Sequence, residues 1–119
     1  MTYQGGCHCG AISIQVQGEI GEVYECNCSL CSKRGYLLWF VDRSQVTVTG
    51  ESAMATYRFN THKIGHHFCP TCGCAPMGSA GDKAAINVRC LDAVDVKALT
   101  IKPVDGRSIP MAPPAAQNA

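Results

Sequence analysis

Short stretches of alternating apolar and polar residues recur along the chain, and each predicts a strand. AISIQVQG (11–18) sends Ile12, Ile14 and Val16 to one side and polar residues to the other, the pattern of a half-buried strand. EVYEC (22–26) continues in extended style, and QVTVTG (45–50) alternates again until Gly50 stops it. YLLWFV (36–41) is an unbroken apolar run rich in aromatic residues, short enough for a buried strand. MATYRFN (54–60) and IGHHFC (64–69) predict two more strands with NTHK (60–63) as the turn between them. AAINVRC (84–90) and LTIKPV (99–104) are candidates for a last pair. LDAVDVKAL (91–99) has room for one helical turn with Asp92 as its N-cap, and residues 29–34 for another. No sustained 3.6-residue period, internal repeat or linker interrupts this pattern. The expected class is mostly β: one small domain of short antiparallel sheets over residues 1–110, with a frayed tail, MAPPAAQNA, at 111–119.

Length and charge narrow the functional classes. A chain of 119 residues suits one modest core. A net charge of +1 is not built to neutralise phosphates, so no nucleic-acid partner is expected. The longest apolar runs are too short to span a bilayer, so no membrane partner is expected either. MTYQGGCHCG lacks the charged start and apolar run of a signal peptide, and the expected location is cytoplasmic.

The chain has nine cysteines, and these change the picture. An odd number, no secretion signal and the reducing cytosol all argue against a disulfide framework. Their tight clustering argues for metal. In Cys69-Pro-Thr-Cys72-Gly73, two sulfurs converge on one ion and Gly73 permits the positive φ that lets the chain leave the turn. Cys7 and Cys9, two apart on a presumed strand, face the same side and supply the other half. Cys7, Cys9, Cys69 and Cys72 thus form a closed four-thiolate zinc site that joins the N-terminal strand to the second half of the domain. Cys26, Cys28 and Cys31 remain: two on one strand face and a third after a turn, giving three thiolates and a vacancy. Zinc held by three thiolates is formally −1, poor at ionising water but suited to a thiol, which binds as thiolate. Cys74 or Cys90 could instead close this second site, or each could be a small buried apolar residue. Lys33 and Arg34 follow at once and either hold an anionic substrate or are solvated surface cations. Among the histidines, His8 points away from the metal, while His66 and His67 lie on opposite faces of one strand, one of them toward the core or the second site.

GGCHCG, CNCSLC and FCPTCG, in that order, resemble the glutathione-dependent formaldehyde-activating enzyme family, also called the centromere protein V family. The agreement runs from about Gly5 to about Val96, and TYRFNTHK, HHFCPTCG and VRCLD look closest to the centromere protein V-like branch. The resemblance implies a mostly β, Mss4-like fold. It implies a structural zinc on Cys7, Cys9, Cys69 and Cys72 and a second, catalytic zinc on Cys26, Cys28 and Cys31. It also implies a carbon–sulfur lyase activity of the kind that adds glutathione to formaldehyde, giving S-hydroxymethylglutathione. The long basic extension of centromere protein V is absent here, so a chromatin or microtubule role does not carry over.

Two functions follow. The first is a zinc-dependent carbon–sulfur lyase acting on adducts of glutathione, or a related thiol, with formaldehyde or another small aldehyde. Lys33, Arg34, Trp39 and Arg89 are its candidate substrate-binding residues. The second is a non-enzymatic, zinc-stabilised binding module whose second site is closed or vestigial. A thiol or water at the fourth position favours the enzyme, and a fourth cysteine there favours the module.

Overall fold

In the computed structural model, described for residues 1–59 and 62–106, the chain forms ten strands and one helix. The strands are β1 (Thr2–Gly6), β2 (Ser13–Gln17), β3 (Val23–Cys26), β4 (Leu38–Asp42), β5 (Val46–Thr49), β6 (Ala55–Tyr57), β7 (Gly65–Phe68), β8 (Met77–Ala80), β9 (Lys83–Asn87) and β10 (Ile101–Val104). The helix, α1, spans Ser29–Arg34. Single 3₁₀ turns occupy Arg43–Gln45, Glu51–Ala53, Val88–Cys90 and Val96–Ala98.

The strands form a three-stranded sheet, β1-β2-β5, and a seven-stranded sheet, β10-β3-β4-β9-β8-β7-β6. Pairing is antiparallel except where β10 runs parallel to β3. The alternation in β2 buries Ile14 and Val16. They pack with Val46 of β5 against Trp39 and Val41 of β4 and Ala84 and Ile86 of β9. One face of each sheet therefore closes the main core, and each buried Val or Ile side chain contributes about 1.5–3 kcal/mol by leaving water. Tyr3 of β1 meets Trp39 edge-on, ring centroids 5.6 Å apart, which ties the first strand to the same core.

The second face of the large sheet matters more for function. Leu38 and Phe40 alternate with Trp39 and Val41 along β4, so they point away from the main core. A smaller cluster forms on that side from Cys31, Tyr36 and Ala75, with Leu38 and Phe68 against it.

Several expectations shift. The run 36–41 begins its strand only at Leu38, and Phe40 is 55% exposed, so a single face of it is buried in the main core. β1 and β8 are strands that the alternation rule does not find. TYQGG and MGSA carry few apolar residues and no branched ones, and they are extended because β2, β7 and β9 pair with them. The expected pair at 84–90 and 99–104 does not form: β9 pairs with β4 and β8, while β10 joins β3. The helical turn in 91–99 is the 3₁₀ turn Val96–Ala98. Asp95, not Asp92, caps it, by accepting from the Lys97 N–H. Of the expected 60–63 turn, positions 60 and 61 lie outside the described residues, as does the tail at 111–119.

Candidate functional site

The first cysteine group forms where two distant turns meet. β1 ends at Gly6, so Cys7, His8 and Cys9 lie in a turn and not on a strand. The turn is closed by the Cys7 N–H donating to the Ile12 carbonyl at 3.0 Å. It still brings Cys7 and Cys9 Sγ within 3.6 Å of each other, and Cys9 within 3.6 Å of Cys69. At the other turn the Gly73 N–H donates to the Cys69 carbonyl at 2.8 Å, and Gly73 has the expected positive φ of 81°. The sulfurs of Cys7, Cys9, Cys69 and Cys72 all lie within 4.8 Å of one another.

These spacings suit one metal ion. Four thiolates at 2.3 Å from a tetrahedral zinc stand about 3.8 Å apart, against about 2.05 Å in a disulfide. All nine cysteines are free. Backbone donors favour thiolates here: the Cys74 N–H, followed by that of Cys9, brings Cys72 down to about 5. The Ala11 N–H pulls Cys9 in the same direction. The neighbouring Cys69 and Cys7 sulfurs outweigh it and push Cys9 up to about 11. Without a cation the group thus keeps some of its protons, and a metal would displace them.

The second group is local. Cys26 ends β3, and Cys28 is the extended N-cap of α1, its sulfur accepting from the Cys31 N–H at 3.4 Å. The Cys28 N–H in turn donates to Cys26 Sγ at 3.4 Å. Burial pushes the Cys28 thiol up, but the Cys31 N–H and the neighbouring sulfurs outweigh this and the net shift is down. Buried Cys31 is pushed well above the ordinary thiol range by desolvation and by Cys28. The three sulfurs lie within 4.8 Å of one another, and among the described residues no fourth cysteine, carboxylate or histidine joins them. Neither Cys74 nor Cys90 belongs to either group. Burial raises Cys90 to about 11, with Cys74, Cys7 and Cys72 adding to the shift.

Gly106 completes the second group in a way the sequence does not signal. β10 runs beside β3 with Val104 opposite Cys26, which carries Gly106 against the sulfurs. A Cβ at Gly106 would stand 2.5 Å from Cys26 Sγ and 3.0 Å from Cys28 Cβ, so only glycine fits.

The triplet opens onto a cavity of about 540 Å³. Cys26, Cys28 and Cys31 form part of its wall, with Leu38 and Phe40 of β4, Gly78 of β8, Ala85 of β9 and His66 of β7. None of the four cysteines of the first group lines it. The His66 ring is nearly parallel to that of Tyr36, 6.4 Å away, and tilted against that of Phe59, 5.4 Å away. Desolvation, then the Arg34 charge, lowers its pKa to about 4, so it is uncharged at neutral pH. His67 points to the opposite face, its ring nitrogens 2.8 Å from Thr56 Oγ1 and 2.7 Å from Ser79 Oγ.

The expected substrate-binding residues divide. Lys33 lines the cavity. Arg34 lies over the Phe68 ring at 5.3 Å and donates to the Tyr36 hydroxyl at 2.6 Å. Arg89 Nε donates to the Gly35 carbonyl at 3.0 Å. Trp39 is away from the cavity: the pleat of β4 turns it into the main core. Tyr36, Phe40 and Gly106 are wall residues that the sequence reading does not single out.

Residues 2–104 match the family described as glutathione-dependent formaldehyde-activating enzyme. The chain belongs to this family. The mostly β domain with its two cysteine groups is the Mss4-like fold of the glutathione-dependent formaldehyde-activating enzymes, and both groups are consistent with zinc. A crystal structure of a Rhodobacter sphaeroides protein, a structural-genomics target, is similar to this member of the family. The TM-score is 0.74 at 29% identity, over 83% of this chain and 99% of that one.

Proposed function

We propose that this protein is a zinc-dependent carbon–sulfur lyase acting on adducts of glutathione, or a related thiol, with formaldehyde or another small aldehyde. One observation carries the reading: the three-sulfur group forms part of the wall of the cavity of about 540 Å³, which the four-sulfur group does not line. Cys7, Cys9, Cys69 and Cys72 would hold a structural zinc, and Cys26, Cys28 and Cys31 a catalytic one. Zinc at the second group would supply a soft, electron-rich centre with one position left for a thiol sulfur.

The chain's own groups perform the rest. The N–H groups of Cys28 and Cys31 orient the neighbouring sulfurs and favour their thiolate forms. Apolar side chains make up most of the wall beside the sulfurs. His66, uncharged at neutral pH, adds a neutral ring to the same wall. Lys33 supplies a cation for an anionic thiol. Thiolate chemistry of this kind also fits a reducing, cytoplasmic setting.

The test is exchange NMR of glutathione and formaldehyde with purified protein of known zinc content. The expected result is two zinc equivalents and interconversion with S-hydroxymethylglutathione well above the uncatalysed rate. Cys31→Ser should stay soluble, retain about one equivalent of zinc on native mass spectrometry and lose about 100-fold or more of the rate. Uncatalysed exchange by protein with both sites filled would sink the enzyme reading and leave the zinc-stabilised binding module.

A further inference from the structure

The cavity is larger and more apolar than formaldehyde requires. At about 540 Å³ it lies within the 300–1,000 Å³ range of sites that enclose a drug-sized molecule. Its size has a structural origin. Phe40, Ala85 and Gly78 are cross-strand neighbours on β4, β9 and β8, and His66 of β7 follows opposite Gly78. Two small residues in the middle of that row leave the floor open. Aromatic rings stand around it: Tyr36 and Phe59 both pack near His66 in the wall. Three of the wall residues are exposed despite being apolar: Phe40 at 55%, Ile64 at 49% and Val104 at 36%. Apolar side chains left open to solvent around a concavity mark a surface that meets an apolar ligand.

Charge points the same way. Besides the three cysteines, Lys33 is the one Lys, Arg, Asp or Glu among the described wall residues. Arg34 is committed to Tyr36 and Phe68, and Arg89 to the Gly35 carbonyl. The two carboxylates and the ammonium of glutathione would find few partners inside this cavity and would stay hydrated.

We infer that the carbonyl partner, not the thiol's polar body, fills the cavity, and that it carries an apolar group of aromatic-ring size. The inference rests on the carbon–sulfur reading above and narrows it to adducts of apolar aldehydes. In the forward direction the thiolate sulfur bonds to the carbonyl carbon, the C=O π pair moves to oxygen, and oxygen takes up the proton the thiol gave. In reverse, the hydroxyl loses its proton, C=O re-forms, and sulfur leaves with the C–S pair and is reprotonated. No oxidant or reductant is involved.

The experiment compares glutathione with formaldehyde and glutathione with phenylacetaldehyde on the zinc-loaded full chain, each as kcat/KM relative to the uncatalysed reaction. The expected enhancement is about tenfold or more greater for phenylacetaldehyde. Ala85→Leu, which fills the floor, and Phe40→Ala, which removes a wall, should each bring that ratio toward parity. Phe40 is largely exposed, so its variant folds even if the first does not. Formaldehyde turnover with equal or weaker enhancement for phenylacetaldehyde overturns this inference and leaves the lyase reading standing. A preference unchanged in Phe40→Ala also overturns it. Turnover of neither aldehyde overturns both.

Discussion

Cys31 and Gly106 bound the second cysteine group from opposite sides. Cys31 is buried in the first turn of α1, while Gly106 arrives from the end of β10 and presses its backbone against Cys26 and Cys28. A methyl group at Gly106 would lie 2.5 Å from Cys26 Sγ, closer than any real carbon–sulfur contact. Either the sulfur turns away or the end of β10 lifts. Gly106→Ala should therefore weaken zinc at the triplet by about 10–100-fold, the usual effect of disturbing a ligand's support. The first group, on another part of the domain, should keep its ion. Titration with a chromophoric chelator checks this, and two sites of unchanged affinity would remove Gly106 from the metal centre.

At the scale of the element, β7 shows how one strand serves two environments. His66 and His67 are consecutive, so pleating sends them to opposite faces: one into the cavity wall, the other to hydroxyl partners on β6 and β8. The cavity environment makes protonation of His66 unfavourable. Its pKa falls from 6.5 to about 4, first by desolvation and then by the Arg34 charge. The unfolded chain therefore binds more protons than the folded one between these values. The stabilisation is complete above pH 6.5 and is lost as pH falls through about 4. His67 is shifted in the same direction by burial, so it adds to the slope. Urea midpoints measured across this window should fall with pH in the native protein and fall less in His66→Gln. Equal slopes would show that His66 is solvated and ionises freely.

At the scale of the molecule, the first cysteine group joins segments that lie sixty residues apart at Cys9 and Cys69. It connects the turn after β1, in the small sheet, to the turn between β7 and β8, in the large one. The core between the sheets is modest, as a small domain's must be. Metal at this junction would stabilise the packing of one sheet on the other, and its loss would free both turns. Cys69→Ser should give insoluble protein or one without fixed tertiary packing, judged by loss of near-ultraviolet circular dichroism. A well-folded Cys69→Ser protein of unchanged thermal stability would refute the structural role.

The grouping of the cysteines was legible in the sequence because ligand pairs sit two or three residues apart, and chain geometry over so short a distance makes their sulfurs converge in a strand or a turn alike. Cys7 and Cys9 show this: they occupy a turn, not the strand expected, and still pair with Cys69 and Cys72. Strands such as β2 and β5 were legible for a similar reason, since alternation along the chain records which face is buried. Tertiary structure alone decided the rest. Small residues give β8 no pattern of its own, so its extension depends on β7 and β9. Trp39 enters the core while Leu38 and Phe40 line the cavity because β4 has a sheet on one side and the triplet on the other. The cavity is built from β3, α1, β4, β7, β8, β9 and the end of β10, elements that span most of the chain. Its shape is set by which side chains are missing where distant strands meet, and a local pattern records no contact between residues so far apart.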